Sequence, residues 1–200
     1  MTSHSVDAGA SRYEPTTFRV NDKKLGMWIF LASEVMFFTG LIGSYIILRW
    51  GAATPWPVPG EVLNVPITAG NTFLLICSSV TMVKAFAAIE DGNQKMLKIW
   101  LLATAIIGAT FVGVQVYEYR ELVHHEFLPS SGLYGSTFFT MTGFHGLHVT
   151  IGVLCMLWVT MKAFRGGYTQ ADHQGVEIIG LYWHFVDLVW IILFTIVYLI

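Results

Sequence analysis

The C-terminal apolar run constrains the fold more than any other part of the chain. Residues 182–190 read Y-W-H-F-V-D-L-V-W, and they lie in a stretch, residues 178–199, whose only acidic or basic residues are His184 and Asp187. This stretch is long enough to cross a bilayer as a helix. His184 and Asp187 are three positions apart, so they share one helix face. Because ionisable groups at membrane depth usually face protein, the run predicts a membrane helix in a bundle with a buried polar site.

The composition supports a membrane location for the whole chain. Of the 200 residues, 54% are hydrophobic and 12% are charged, about half the charged fraction of a soluble domain. Soluble globular and disordered chains are therefore excluded. The formal net charge of -2 gives no indication of nucleic-acid binding.

Five apolar stretches are each long enough to span a membrane. The sequence therefore predicts an all-α, polytopic bundle, residues 25–200, that follows a polar tail at residues 1–24. The tail lacks the apolar core of a secretory signal peptide. The predicted helices cover about residues 25–48, 66–89, 97–119, 136–162 and 177–199.

The basic residues predict the orientation of the bundle. Two of them, Arg49 and Arg120, follow the first and third helices, whereas the other nine fall on or near the side of the N-terminus. By the positive-inside rule, the N-terminus is predicted to be cytoplasmic and the C-terminus periplasmic. The nine are Arg12, Arg19, Lys23, Lys24, Lys84, Lys95, Lys98, Lys162 and Arg165.

Two local patterns predict how the helices are connected and packed. The polar sequence at residues 90–95, E-D-G-N-Q-K, favours a tight turn, so the second and third helices are predicted to form an antiparallel hairpin. Small residues at Gly40 and Ser44, and at Ala105 and Ala109, have the four-residue spacing that lets membrane helices approach closely.

Glu34 lies about nine residues into the first helix, roughly 14 Å from its inner end at the helical rise of ~1.5 Å per residue. An isolated ionised carboxylate is costly at this depth, so we expect Glu34 to be neutral or paired with a neighbouring helix. By depth, His148 and His184 are the nearest candidate partners. A structural role and a role in proton handling or lipid contact both remain open.

Histidines on the last two helices lie at similar depths. His145 and His148 are three positions apart on the fourth helix, and His184 and Asp187 occupy the fifth. Together with Glu34, these side chains are predicted to meet in one layer as a hydrogen-bonded polar cluster. A haem held by one histidine from each helix is the alternative interpretation, although the pattern offers no cysteine ligand and no H-E-x-x-H motif.

Glu118 closes the third helix in the sequence Q-V-Y-E-Y-R, near the outer face. Arg120, Glu121 and Glu126 follow it, which favours a charged rim at the membrane interface.

Four motifs resemble those of subunit III of the haem–copper terminal oxidases, and the cytochrome c oxidase type is the closer match. The resemblance covers residues 25–200, with the motifs in the family's order. They are S-E-V-M-F-F-T-G at residues 33–40, Y-G-S-T-F-F at 134–139, G-F-H-G-L-H-V at 143–149 and Y-W-H-F-V-D-L-V-W at 182–190.

The resemblance implies a membrane subunit without catalytic, cofactor-binding or metal-binding residues, in a proton-pumping complex of aerobic respiration, with aa3 the expected haem type. Haems and copper would belong to subunits I and II. Subunit III of this family packs against subunit I, binds phospholipid, supports proton uptake and protects the catalytic core during turnover. The matched motif residues are Glu34, Glu118, His145, His148, His184 and Asp187.

One departure from the family concerns the number of helices. Its larger members have seven, and the first two are not matched here, which leaves their lipid-binding cleft in question. The five-helix form resembles bacterial members, so a bacterial cytoplasmic membrane is expected. Three alternatives remain: subunit III of a quinol oxidase, a stand-alone proton transporter, and a b-type cytochrome.

Overall fold

The computed structural model describes residues 21–52 and 56–200, and this part of the chain is entirely helical apart from its connections. Of the predicted tail at residues 1–24, residues 1–20 lie outside the described part of the chain. Five helices are long and apolar enough to span a membrane, as predicted. In chain order the elements are α1 (Asp22–Gly51), a short α2 (Pro59–Val62), α3 (Val65–Glu90), α4 (Gln94–His124), α5 (Leu133–Phe164) and α6 (Gln174–Phe194), which a π-helix (Thr195–Leu199) extends.

Asparagine side chains determine where three of the long helices begin. The side chains of Asn21, Asn64 and Asn93 accept hydrogen bonds from backbone N–H groups in the first turns of α1, α3 and α4. These bonds satisfy donors that have no partner within the helix. Gly92, with φ of 73°, allows the tight turn between α3 and α4, so the predicted antiparallel hairpin is confirmed.

The four helices from α3 to α6 form a closed bundle in which each helix packs against two others. Trp183 of α6 lies at its centre, is 1% exposed, and donates its indole N–H to Ser78 Oγ on α3 at 2.9 Å. A Cβ atom at Gly108 of α4 would lie 2.5 Å from the Trp183 ring, and one at Gly152 of α5 would lie 3.0 Å from it. These two glycines therefore provide the space for the indole.

The small residues at which close helix packing was predicted are not the ones that provide it. Gly40 is exposed, and a Cβ atom added to it would meet nothing within 4 Å. Ala105 is buried, but Ala109 is exposed. The close approach instead involves Gly108 and Gly152, which face a large aromatic side chain rather than another helix backbone.

Helix α1 lies outside the four-helix bundle and packs mainly against α5 and α6. Only 11% of the residues in its most apolar segment are buried within the chain, compared with 50% of those in the corresponding segment of the last helix. Phe38 and Tyr45 anchor it: Tyr45 packs edge-on against Trp56, which in turn packs against Tyr134 of α5. Most of α1 is therefore available to contact lipid or another chain.

The predicted orientation can be tested with reporter fusions. Fusions after Lys95 and after Arg165 should report the cytoplasm, because both sites lie at the end of the bundle where basic residues are concentrated. Fusions after Trp56 and after Ser130 should report the periplasm. A cytoplasmic signal from the Ser130 fusion would contradict this orientation.

Candidate functional site

An open groove of about 710 Å³ runs between α1, α5 and α6. Its walls are largely apolar and include Phe30 and Phe37 of α1 and Phe144 of α5. Glu34 and His148 contribute its principal polar groups. The site is therefore a polar pair in an apolar groove on the outside of the four-helix bundle, beside the peripheral helix α1.

Glu34 and His148 are hydrogen-bonded across this groove. Glu34 Oε2 lies 3.1 Å from His148 Nε2, and the two side chains are 17% and 14% exposed. The sequence prediction that His148 is a partner of Glu34 agrees with this geometry. His184, the other candidate by depth, lines a different groove, between α3 and α6.

The second ring nitrogen of His148 shows how protons are distributed in the pair. His148 Nδ1 lies 2.7 Å from the carbonyl oxygen of Phe144, which can only accept, so Nδ1 carries a proton. The hydrogen bond to Glu34 then contains one further proton, held either by the carboxyl or by Nε2. The pair is thus a neutral acid with a neutral imidazole, or a carboxylate with an imidazolium, and its net charge is zero in both forms.

We expect the neutral form, because charge separation is costly in an apolar groove. Infrared difference spectra of the oxidase complex should then contain a protonated-carboxyl band that disappears in Glu34→Gln. Glu177→Gln is the matched control, since Glu177 pairs with Lys24 at the inner end of the bundle and should contribute no such band. An unchanged carboxyl region in Glu34→Gln would contradict the neutral form and favour the ion pair.

Two neighbouring side chains contact His148, one at its backbone and one at its ring. The Tyr182 hydroxyl donates to the backbone carbonyl oxygen of His148 at 2.9 Å, which ties α6 to α5 beside the pair. Phe38 packs edge-on against the imidazole, with ring centroids 5.2 Å apart. Sequence reasoning did not assign these two residues to the site, although both belong to the motifs that contain Glu34 and His184.

His145 does not join the predicted polar cluster. Its ring is completely buried and stacks on Trp190 of α6, with centroids 4.7 Å apart, while Phe111 of α4 packs edge-on against it. Neither ring nitrogen has a hydrogen-bond partner within the described part of the chain. The prediction that the deep histidines are bonded to carboxylates and hydroxyls therefore does not hold for His145, whose contacts are aromatic.

Asp187 and His184 both lie where α6 packs against α3, away from the groove that contains Glu34. Asp187 is buried, and its Oδ2 accepts a hydrogen bond from Ser79 of α3 at 2.6 Å. His184 is half-buried and lines a groove of about 210 Å³ between α3 and α6, together with Glu177. The single layer predicted from depth is thus divided among the α1 groove, the bundle core and the α3–α6 groove.

The predicted position of Glu118 in a charged rim at the membrane interface is wrong, because its side chain is buried among other helices. Glu118 Oε1 accepts hydrogen bonds from Thr68 of α3 at 2.8 Å and from Tyr198 of the π-helix at 3.2 Å. Helix α4 continues to His124, beyond the predicted end at residue 119, and it carries Glu118 on a face that contacts α3 and the π-helix. It lines an outer cavity of about 760 Å³ with Glu121 and His125.

The positions of these side chains bear on metal binding. Among residues 21–52 and 56–200, no three His, Cys, Asp or Glu side chains come together as a possible set of metal ligands. His148 lines the groove beside α1, and His184 lines the groove between α3 and α6. The two imidazoles therefore do not face one common site.

Five helices long and apolar enough to span a membrane, packed on a largely apolar core that contains a few buried polar side chains, define a multi-pass membrane protein. The family model described as "Cytochrome c oxidase subunit III" matches residues 8–200, and the chain belongs to that family. It is 40% identical over 188 residues to cytochrome c oxidase subunit 3 of Thermostichus vulcanus, which covers 94% of this chain and 90% of that protein.

Two further relatives come from other bacteria. A probable cytochrome c oxidase subunit 3 of Mycobacterium bovis is 40% identical over 182 residues, covering 91% of this chain and 90% of the relative. Cytochrome c oxidase subunit 3 of Bacillus sp. strain PS3 is 34% identical over 201 residues, covering 100% of this chain and 95% of the relative. Membership of this family implies association with other oxidase subunits.

Proposed function

We propose that this chain is the non-redox subunit III of an aa3-type cytochrome c oxidase in a bacterial cytoplasmic membrane. In this role it packs against subunit I, with subunit II as a further partner. It binds phospholipid, supports proton uptake and stabilises the catalytic core during turnover. Haems and copper belong to the partner subunits, and this chain contributes no catalytic residue.

The observation that carries the proposal is the Glu34–His148 pair in an open groove. Its net charge is zero, so it can face a lipid or protein neighbour at membrane depth without the cost of an isolated ion. The same hydrogen bond can move one proton between Oε2 and Nε2 without changing the charge of the groove. Both properties suit a supporting subunit at the membrane boundary of an oxidase.

The positions of the histidines support the assignment of the redox centres to other subunits. A bis-histidine haem would need two imidazoles facing one another from neighbouring helices. His148 instead contacts Glu34, His145 stacks on Trp190, and His184 lies in the groove between α3 and α6. The same division argues against a continuous histidine layer in a stand-alone proton transporter.

Purification of the tagged chain from its native membrane tests the assignment. Subunits I and II should copurify, and the reduced-minus-oxidised spectrum should show a-type haem. The separated chain should contain no stoichiometric iron, copper or zinc. Recovery of the chain alone would favour the transporter, and a haem signal that stays with the separated chain would favour the b-type cytochrome.

A further inference from the structure

The polar pair in the groove beside α1 lies near the middle of its two helices. Glu34 is twelve residues after the start of α1 and seventeen before its end, and His148 is fifteen residues after the start of α5 and sixteen before its end. At ~1.5 Å per residue, both positions are about 18 Å or more from either end of their helices. Phospholipid headgroups lie outside the hydrocarbon core, so at this depth a phospholipid presents only its acyl chains.

The strong hydrogen-bond donors that line this groove are already used within the chain. His148 Nδ1, the Tyr182 hydroxyl and the Ser33 hydroxyl each donate to a backbone carbonyl oxygen, at 2.7, 2.9 and 2.6 Å. The proton between Glu34 and His148 is used by their own bond. Cys155 adds a thiol, which is only a weak donor. The groove therefore has almost no donor left to offer a ligand.

The Glu34 carboxyl, by contrast, keeps an acceptor that faces the groove. Its Oε2 is bonded to His148 Nε2, whereas its Oε1 has no hydrogen-bond partner in the described part of the chain. In the neutral form of the pair Oε1 is the carbonyl oxygen of the acid, and in the ionic form it belongs to a carboxylate, so it accepts in both forms. A ligand that satisfies this atom must donate a hydrogen bond.

Two pairs of aromatic rings flank this acceptor. Phe37, three residues after Glu34 on α1, packs edge-on against Phe144 of α5 with ring centroids 5.2 Å apart. Phe30, four residues before Glu34, lies 6.2 Å from Tyr182 of α6. Such rings favour contact with another aromatic ring. The volume of about 710 Å³ also falls within the range of about 300–1,000 Å³ that is usual for small-molecule sites.

We infer that the groove is a binding site for a membrane-soluble aromatic alcohol of the quinol class. The ring hydroxyl donates to Glu34 Oε1, and the ring lies against the flanking aromatic side chains. The apolar wall continues toward the start of α1 through Met27 and Ile179, which suits an isoprenoid tail. An oxidised quinone has no hydroxyl, so the site distinguishes a quinol from its quinone.

This inference goes beyond the proposed function, because it gives the groove a ligand other than phospholipid. It concerns binding alone and requires no redox step on this chain. It is also independent of which haems the partner subunits contain, so a different haem spectrum would alter the proposed function and leave the ligand of the groove unchanged.

Binding of tritiated 2-farnesyl-1-naphthol to the purified oxidase complex tests the inference. This compound carries a single ring hydroxyl, so it cannot lose two hydrogens to become a quinone. Its methyl ether has the same ring and tail but no donor. The naphthol should saturate one site per chain, and the ether should bind about tenfold more weakly, because its oxygen cannot donate to Glu34 Oε1.

Two substitutions of Glu34 separate the acceptor from the shape of the groove. Glu34→Gln keeps a carbonyl oxygen at Oε1 and an N–H for His148, so it should keep the preference for the naphthol. Glu34→Leu removes the acceptor, so the naphthol and the ether should bind equally. If Glu34→Leu does not assemble, the comparison of the two compounds on the wild-type complex decides the question.

Aromatic substitutions provide the matched controls. Phe37→Leu should weaken the naphthol and the ether together and leave their ratio unchanged, because Glu34 Oε1 remains. Phe73→Leu, at an exposed position of α3 outside the groove, should change neither affinity. Equal affinities for the two compounds on the wild-type complex would overturn the inference and indicate a groove for apolar chains only. Absence of saturable binding would overturn it too, and would indicate that a partner subunit covers the groove.

Discussion

An oxidase complex depleted of this chain should begin to reduce oxygen at nearly the normal rate and then lose activity severalfold faster than the intact complex. The initial rate should persist because the proposed redox centres lie in subunits I and II. The faster loss should follow because the proposed role of this chain is to support proton uptake and to stabilise the catalytic core during turnover.

Haem content, oxygen consumption and cumulative turnover before inactivation are the measurements. Haem content should be equal in the two preparations, and proton uptake should weaken at higher pH in the depleted one. Adding back the purified chain should restore the longer-lived activity. Complete loss of initial turnover in a remainder with full haem content would contradict the proposed supporting role.

Gly108→Ala should destabilise the bundle more than an ordinary glycine substitution in a helix. The new methyl group would lie 2.5 Å from the ring of Trp183, which is 1% exposed and is held by its hydrogen bond to Ser78. Overpacking of this kind costs about 1–3 kcal/mol, because the core must move to relieve the contact. The expected result is a lower midpoint for dissociation of the chain from the complex in denaturing detergent.

Gly113→Ala is the matched control on the same helix. Gly113 is exposed, and an added Cβ atom meets nothing within 4 Å, so only the gain in helix propensity remains. This variant should be at least as stable as the wild type. Equal midpoints for Gly108→Ala and Gly113→Ala would show that the Trp183 pocket tolerates an extra methyl group.

The number of spanning helices and the α3–α4 hairpin were predictable because each depends on local sequence. A membrane helix needs an apolar stretch of a certain length, and a tight turn needs polar residues and glycine. The ends of the helices were less predictable. The predicted third helix covered residues 97–119, whereas α4 starts at Gln94 and continues to His124. The additional residues at both ends are mostly polar, so an apolar stretch does not mark them as helical.

The polar sites were predicted in part, for a reason that comes from helix geometry. Depth along a helix follows from residue number, and it gave both His184 and His148 as candidate partners of Glu34, of which the structure pairs His148 with Glu34. The direction of a side chain also depends on how each helix is rotated in the bundle. His145 and His148 are near neighbours on α5, yet the first faces Trp190 in the core and the second faces Glu34 in the groove.

Glu118 and the small residues illustrate the same limitation. Neighbouring charges indicated a charged rim at the membrane interface, but Thr68 and Tyr198, which are distant in sequence, bury the Glu118 carboxyl. The spacing of Gly40 and Ser44 satisfied a general packing rule without showing which face of α1 meets another helix. The actual close contact required the position of Trp183 relative to Gly108 and Gly152.

The peripheral position of α1 has a consequence for biosynthesis. This helix precedes α3 and α4 in the chain, yet its main packing partners, α5 and α6, leave the ribosome after those two helices. Until residues 133–164 have been inserted, the Glu34 carboxyl has no imidazole partner and α1 must reside in lipid or beside an insertion factor. The Glu34–His148 bond can therefore form only after α5 has been translated and inserted, later than the contacts between α3 and α4.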